Sequence, residues 1–271
     1  MSRSRGFTLT ELLITMVVMA ILGTTLARIL INNSRFVSRQ DAMLSAREAA
    51  RAAMNTMTAE LRLVSNGGLR AASRDSVRVR IPIAFGMLCR TTGGSTIASL
   101  MPYDSVMYAT ATIDSLAWLD SVGTYNPVGG ITVTSSSSQA TCDADSIRVV
   151  PGGRLVSLSR PNVGQPGRLF YLFPTVTYRF GASTELPGRR ALWRRAGSAA
   201  AEEIVAPFDT AASFRFLVGP RLTPTATVPA VLDSVRGLEL RLIGASDYAP
   251  QGETTFRRFD LSTHVGFVNR R

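Results

Sequence analysis

The chain reads as an α+β protein, with one long N-terminal helix packed on a mostly antiparallel β-sheet head. Three observations predict this. No proline interrupts residues 7–65, whose apolar residues recur at helical steps. From residue 75 onward the hydrophobic period drops to two. Paired glycines and prolines punctuate the remainder. With 271 residues, 45% hydrophobic and 18% charged, the chain is long and apolar enough to bury a real core.

The first half of the helix is a membrane segment. Residues 12–31 are apolar except for Thr15, Gly23, Thr24, Thr25 and Arg28. Residues 7–31 are long enough to cross a bilayer. The six residues before them, Met-Ser-Arg-Ser-Arg-Gly, carry two arginines that mark the cytoplasmic side. Glu11 is the exception in this stretch, because a carboxylate in a membrane helix is costly without a partner. Cleavage after Gly6 would give Phe7 a free α-amino group. That cation and the Glu11 carboxylate meet poorly within one helix but pair well between staggered neighbours, so the acid reads as an assembly device.

Two plainer readings compete. A secretory signal would be cut after Ala27, but Glu11 would then lie inside its apolar region, which also runs on past the cut. The other is an uncleaved anchor.

Asn32-Asn33-Ser34 is a polar trio expected to loosen the helix. Beyond it Ala50, Ala53, Met54, Met57, Leu61 and Val64 form one apolar stripe, with Arg47, Glu48, Arg51 and Arg62 off it. Gly67-Gly68 is the natural stop. One helix over residues 7–65 would run roughly 85 Å at 1.5 Å per residue. The expected divisions are a leader at 1–6, the membrane half of the helix at 7–31, its soluble half at 32–66 and a β-rich head at 67–271.

In the head, Ser76-Val77-Arg78-Val79-Arg80-Ile81 alternates as a half-buried strand with arginines outward, and Pro82 marks its end. Further strands are expected at 105–113, 131–134, 146–150, 154–158, 169–173, 175–180, 191–195, 213–218, 238–243 and 257–268, with a loop at the serine run 135–138.

The composition offers little chemistry. All 30 basic residues are arginine and the net charge is +11. Such a balance permits contact with nucleic acid or an anionic membrane but demands neither, since the arginines alternate with apolar residues along strands. The cluster Arg189, Arg190, Arg194 and Arg195 around Trp193 suits single-stranded nucleic acid, or simply a charged hairpin edge that resists aggregation. The one histidine, His264, alternates with apolar residues in a terminal strand and reads as an ordinary strand residue. No nucleophile elbow, zinc-peptidase motif, phosphate loop or dinucleotide fingerprint is present, so no catalytic set, metal or cofactor is expected. Asp143 and Asp145 are too few for a calcium site on their own. Cys89 and Cys142 lack zinc-site spacing. Outside the cytoplasm a bridge between them would close a loop of roughly 50 residues and stabilise by about 4 kcal/mol. The alternative is two buried thiols.

Gly6-Phe7-Thr8-Leu9-Thr10-Glu11-Leu12-Leu13-Ile14 resembles the class III signal of type IV prepilins and type II secretion pseudopilins. The resemblance implies cleavage between Gly6 and Phe7 by a prepilin peptidase, N-methylation of Phe7, and Glu11 as the assembly glutamate. Residues 21–23, Ile-Leu-Gly, stand where major pilins often carry a proline, which points to a minor subunit.

In the C-terminal half, Ala191-Leu192-Trp193-Arg194-Arg195 is followed by the acidic step Glu202-Glu203-Ile204-Val205, then by Phe214-Arg215-Phe216 and Val235-Arg236-Gly237-Leu238-Glu239-Leu240-Arg241-Leu242. This order resembles the large minor pilins of the PilW type and the J-type minor pseudopilins. It implies a head of two sheet regions, a helix-like acidic step and a place near a filament tip. The implied partners are other pilins or pseudopilins, the prepilin peptidase and methyltransferase, and the inner membrane. The implied location is single-pass in a bacterial inner membrane, with the head in the periplasm. The alternative is a pilus-borne subunit that binds DNA or a surface.

Overall fold

The computed structural model describes residues 8–65, 67–102, 113, 115–136, 139–149 and 151–267. The chain opens on helix α1 (Leu9–Leu61). There follow β1 (Leu69–Ala72), β2 (Ser76–Arg80), β3 (Ala84–Thr92), β4 (Ser95–Leu100), β5 (Ser115–Leu119), β6 (Tyr125–Gly129) and β7 (Val133–Ser135). The short helix α2 (Gln139–Asp143) leads to β8 (Arg154–Leu158), β9 (Leu169–Phe173), β10 (Thr175–Ala182), β11 (Arg190–Ala196) and β12 (Glu202–Phe208). The chain finishes with β13 (Ser213–Val218), β14 (Thr223–Thr225), a 3-10 turn at Leu232–Ser234, β15 (Val235–Ala245) and β16 (Arg258–Gly266). This is the α+β layout of a long N-terminal helix on antiparallel sheets.

Among the described residues the strands form two wholly antiparallel sheets. The large one has nine strands, ordered β1-β2-β10-β11-β12-β15-β13-β14, with β16 also paired to β15. The small one has seven, ordered β6-β5-β9-β3-β4-β8-β7. One two-stranded ribbon joins them. In the large sheet Arg80 faces Thr175 across β2 and β10; in the small one Ala84 faces Leu172 across β3 and β9. Between them Ile81 N–H donates to Pro174 O (3.3 Å) and Ile83 N–H to Leu172 O (2.9 Å). Pro82 and Pro174 stand at this crossing, where neither can donate to a ladder. The small sheet is therefore an insertion between two adjacent strands of the large one.

The soluble half of α1 packs on β12, β15 and β16. Its buried face runs Ala42, Ala46, Ala49, Ala50, Ala53, Met57, Leu61, in steps of three and four apart from the adjacent pair Ala49 and Ala50. The seam thus begins eight residues earlier than the stripe expected from Ala50. It is made of alanines because the backbones nearly touch: a Cβ added to Gly244 of β15 would lie 1.9 Å from the Ala46 carbonyl oxygen. Further along, Met57 and Leu61 enter a core with Val77, Val79, Val176, Phe180, Phe208 and Phe214. Phe180 sits between Phe208 and Phe214, with ring centroids 5.3 and 5.2 Å away.

Four expectations are corrected. The polar trio does not loosen α1, which runs unbroken through it. The loop between β15 and β16 clasps the helix there: Ser34 Oγ donates to Gln251 Oε1 (2.7 Å), Gln251 N–H to Ser38 Oγ (3.0 Å), and Arg39 pairs with Glu253 at 2.7 Å. The helix ends at Leu61, not Ser65, because its last turn tightens: Leu63 N–H donates to Glu60 O and Val64 N–H to Leu61 O. The acidic step is no helix but strand β12, paired with β11. Residues 146–149 form no strand, since Ser146 at φ 58° closes a turn after α2. The strand expected at 105–113 lies, except for Ile113, outside the described residues.

The Gly244 contact gives a direct test. Gly244→Ala should lower stability by about 1–3 kcal/mol through overpacking, read as a lower urea midpoint of the detergent-solubilised chain. Gly266→Ala in β16, where an added Cβ meets nothing within 4 Å, should leave the midpoint in place.

Candidate functional site

The features that set this molecule apart from a soluble α+β domain lie on residues 8–37, none of which is buried. Leu9 is 82% exposed, Met19 72% and Leu30 67%. Leaving each large apolar side chain in water forgoes about 1.5–3 kcal/mol, so this surface demands an apolar surrounding. Among the described residues α1 is the one helix long and apolar enough to cross a membrane. Residues 9–31 span roughly 34 Å at 1.5 Å per residue, matching a hydrocarbon layer of about 30 Å. The hydroxyls inside this stretch are satisfied locally: Thr15 donates to Leu12 O, and Thr24 and Thr25 to Ile21 O, at 2.8–2.9 Å. No side-chain hydroxyl there faces lipid unpaired.

Glu11 lies in the first turn and closes a capping box with Thr8. Glu11 N–H donates to Thr8 Oγ1 (3.3 Å), while Glu11 Oε2 accepts from Thr8 N–H (3.0 Å) and Thr8 Oγ1 (2.9 Å). Only one carboxylate oxygen is used; Oε1 has no partner among the described residues. Gly6 and Phe7 lie outside the described residues. Thr8 as cap was legible in the sequence, since Ser or Thr three residues before Glu is the capping-box signature, yet attention to the acid alone passes over it.

Cys89 of β3 and Cys142 of α2 form a disulfide, with Cα atoms 5.0 Å apart. Beside it Arg90 grips Asp145: Arg90 Nε donates to Oδ1 (2.9 Å) and Arg90 N–H to Oδ2 (2.8 Å). The side-chain hydrogen bond and the backbone bond from Arg90 hold the Asp145 carboxyl below its ordinary value. Asp145 is thus engaged as an anion by arginine, and Asp143 is exposed. No group of three or more His, Cys, Asp or Glu suited to a metal lies among the described residues.

The five residues of the arginine–tryptophan cluster do not form one surface. Arg189 lies 3.2 Å from the Phe256 ring centroid and donates to Ser246 O. Arg190 pairs with Asp75 and donates to Phe180 O. Arg194 pairs with Glu60 of α1 at 2.9 Å, and Tyr178 O–H donates to the same carboxylate. Burial, then the Glu60 charge, pushes the Tyr178 hydroxyl far above its ordinary value. Trp193 Nε1 donates to Ala182 O. Of the five, Arg195 alone is exposed. His264 is exposed on β16, 3.9 Å from Glu239 Oε1.

Residues 1–27 match the family model described as the prokaryotic N-terminal methylation motif. No curated protein and no solved structure matches the chain. The match supports a place in the type IV pilin-like family and processing by a prepilin peptidase. It agrees with anchoring through a single N-terminal helix.

The disulfide lobe carries two expectations. Cys89→Ser with Cys142→Ser should cost about 2–4 kcal/mol, read by chemical denaturation. A depressed carboxyl stabilises above its unfolded value and loses that contribution as pH falls through its lower folded value. Residues 139–149 should therefore loosen in amide exchange as pH drops below about 3.9, and Asp145→Asn should remove that pH dependence.

Proposed function

We propose that the chain is a prepilin whose leader, residues 1–6, is removed between Gly6 and Phe7, whose Phe7 is N-methylated, and which enters a membrane-anchored filament as a minor pilin or pseudopilin. It is a structural subunit, not an enzyme. The observation that carries this reading is an apolar half-helix, exposed along its whole length, that bears the methylation motif and continues without a break into the head.

Each step rests on a stated property of that helix. In the bilayer its apolar surface keeps the processed subunit in a lateral reservoir. On assembly, residues 12–31 exchange lipid for neighbouring helices, which supplies cohesion by packing. Glu11 Oε1, unpartnered among the described residues, accepts the methylated Phe7 amine of a staggered neighbour. The pairing neutralises two charges that would otherwise be costly within the membrane. The head faces the periplasm, an assignment supported by its disulfide, since such bonds persist in oxidising compartments. The break at residues 21–23 from the major-pilin pattern supports a minor place, priming or tipping the filament beside other pilins or pseudopilins. Nucleic acid has no part in this mechanism.

The N-terminal mass of the membrane-extracted protein tests the processing step. A start at N-methyl-Phe7 is expected; a start at Arg28 or an intact Met1 would overturn the filament mechanism. Glu11→Ala should insert into the membrane normally but be lost from the sheared filament fraction, and its undiminished recovery there would sink the docking role.

A further inference from the structure

The outer face of β1, β2, β10 and β11 carries charge that the molecule does not use. Val77 and Val79 point into the core, so Arg78 and Arg80 stand outward on β2, opposite Thr177 and Thr175 of β10. Arg70 joins them from the irregular pairing of β1 with β2. Arg70, Arg78, Arg80 and Thr175 line one open pocket of about 280 Å³. Among the described residues none of these three guanidinium groups has an ion pair or hydrogen bond. Arg80 lies over the Phe173 ring, 5.3 Å from guanidinium carbon to centroid, and within electrostatic reach of Tyr171 and Asp233. Arg195 extends the basic surface on β11, opposite Thr177.

We infer that this pocket binds a phosphate group, either inorganic phosphate or a small phosphomonoester. Three permanent cations share one open pocket with no hydrogen-bonded acceptor among the described residues, an arrangement that a doubly charged tetrahedral oxyanion completes. Each guanidinium offers a planar fork suited to phosphate oxygens, and Thr175 adds a hydroxyl donor. The volume exceeds one phosphate but falls short of a drug-sized pocket of about 300–1,000 Å³. It therefore has room for a phosphate alone or with a few attached atoms. Burial and the like charge of Arg70 hold the Arg80 guanidinium below its ordinary value, with Tyr171 and Asp233 pulling the other way. The cation is thus placed at some cost.

The site is independent of the filament reading and is tested on the full chain in neutral detergent. Thermal unfolding is followed at constant ionic strength while inorganic phosphate or ribose 5-phosphate replaces chloride. A saturable rise in Tm is expected. Arg70→Gln and Arg78→Gln should each weaken the apparent affinity about tenfold or more. Arg221→Gln, on an exposed turn, should not. Both substituted arginines are exposed, and the Tm without phosphate reports whether each variant folds. Tighter binding of ribose 5-phosphate assigns the site to esters, and equal or weaker binding assigns it to free phosphate; both support it. No saturable rise, or one unchanged in the Arg70→Gln/Arg78→Gln pair, would overturn it.

Discussion

The architecture depends on one close approach, the backbone of α1 at Ala46 against the backbone of β15 at Gly244. A helix can come this near a sheet only where neither surface carries more than a methyl group, hence the run Ala42, Ala46, Ala49, Ala50 and Ala53. Strand β15 meets the helix while pairing along its length with β16, and on its other edge with β13 and then β12. The large sheet is thus organised around the strand that touches the helix. Glu60 adds a polar tie at the far end, held by Arg194 and Tyr178.

The same helix serves two solvents, and the boundary between them is built. The clasp from the β15–β16 loop holds Ser34, Ser38 and Arg39, just beyond the apolar run. Polar residues that would weaken an isolated helix are here engaged from outside. The result is one continuous rod whose outer half is apolar and exposed and whose inner half is fixed to the head. A rigid link of this kind transmits position: wherever neighbours set the membrane half, the head follows.

Much of this was legible in the sequence. The apolar run carries a strong local signal, and the strands at 154–158, 169–173 and 213–218 fall at the expected bounds. The misses have physical causes. Ser95–Leu100 is buried on nearly every residue, so it shows no alternation. Tyr125–Gly129 contains Pro127, tolerated because it forms an edge strand. Glu202–Glu203 misled as an acidic helical step, yet Glu203 caps the neighbouring turn by accepting from Ser183 and Thr184. The arginine cluster failed as a surface because neighbours in sequence point to opposite faces of a strand. The arginines that do gather, Arg70, Arg78 and Arg80, come from two strands.

The crossing at Pro82 and Pro174 has an evolutionary corollary. The small sheet enters and leaves through adjacent strands, so its two ends are held side by side whatever lies between them. Such a junction is a graft point: the inserted lobe can lengthen, shrink or be exchanged while the register of its host sheet stays intact. Natural selection can therefore diversify the inserted lobe at little risk to the rod and the sheet that holds it.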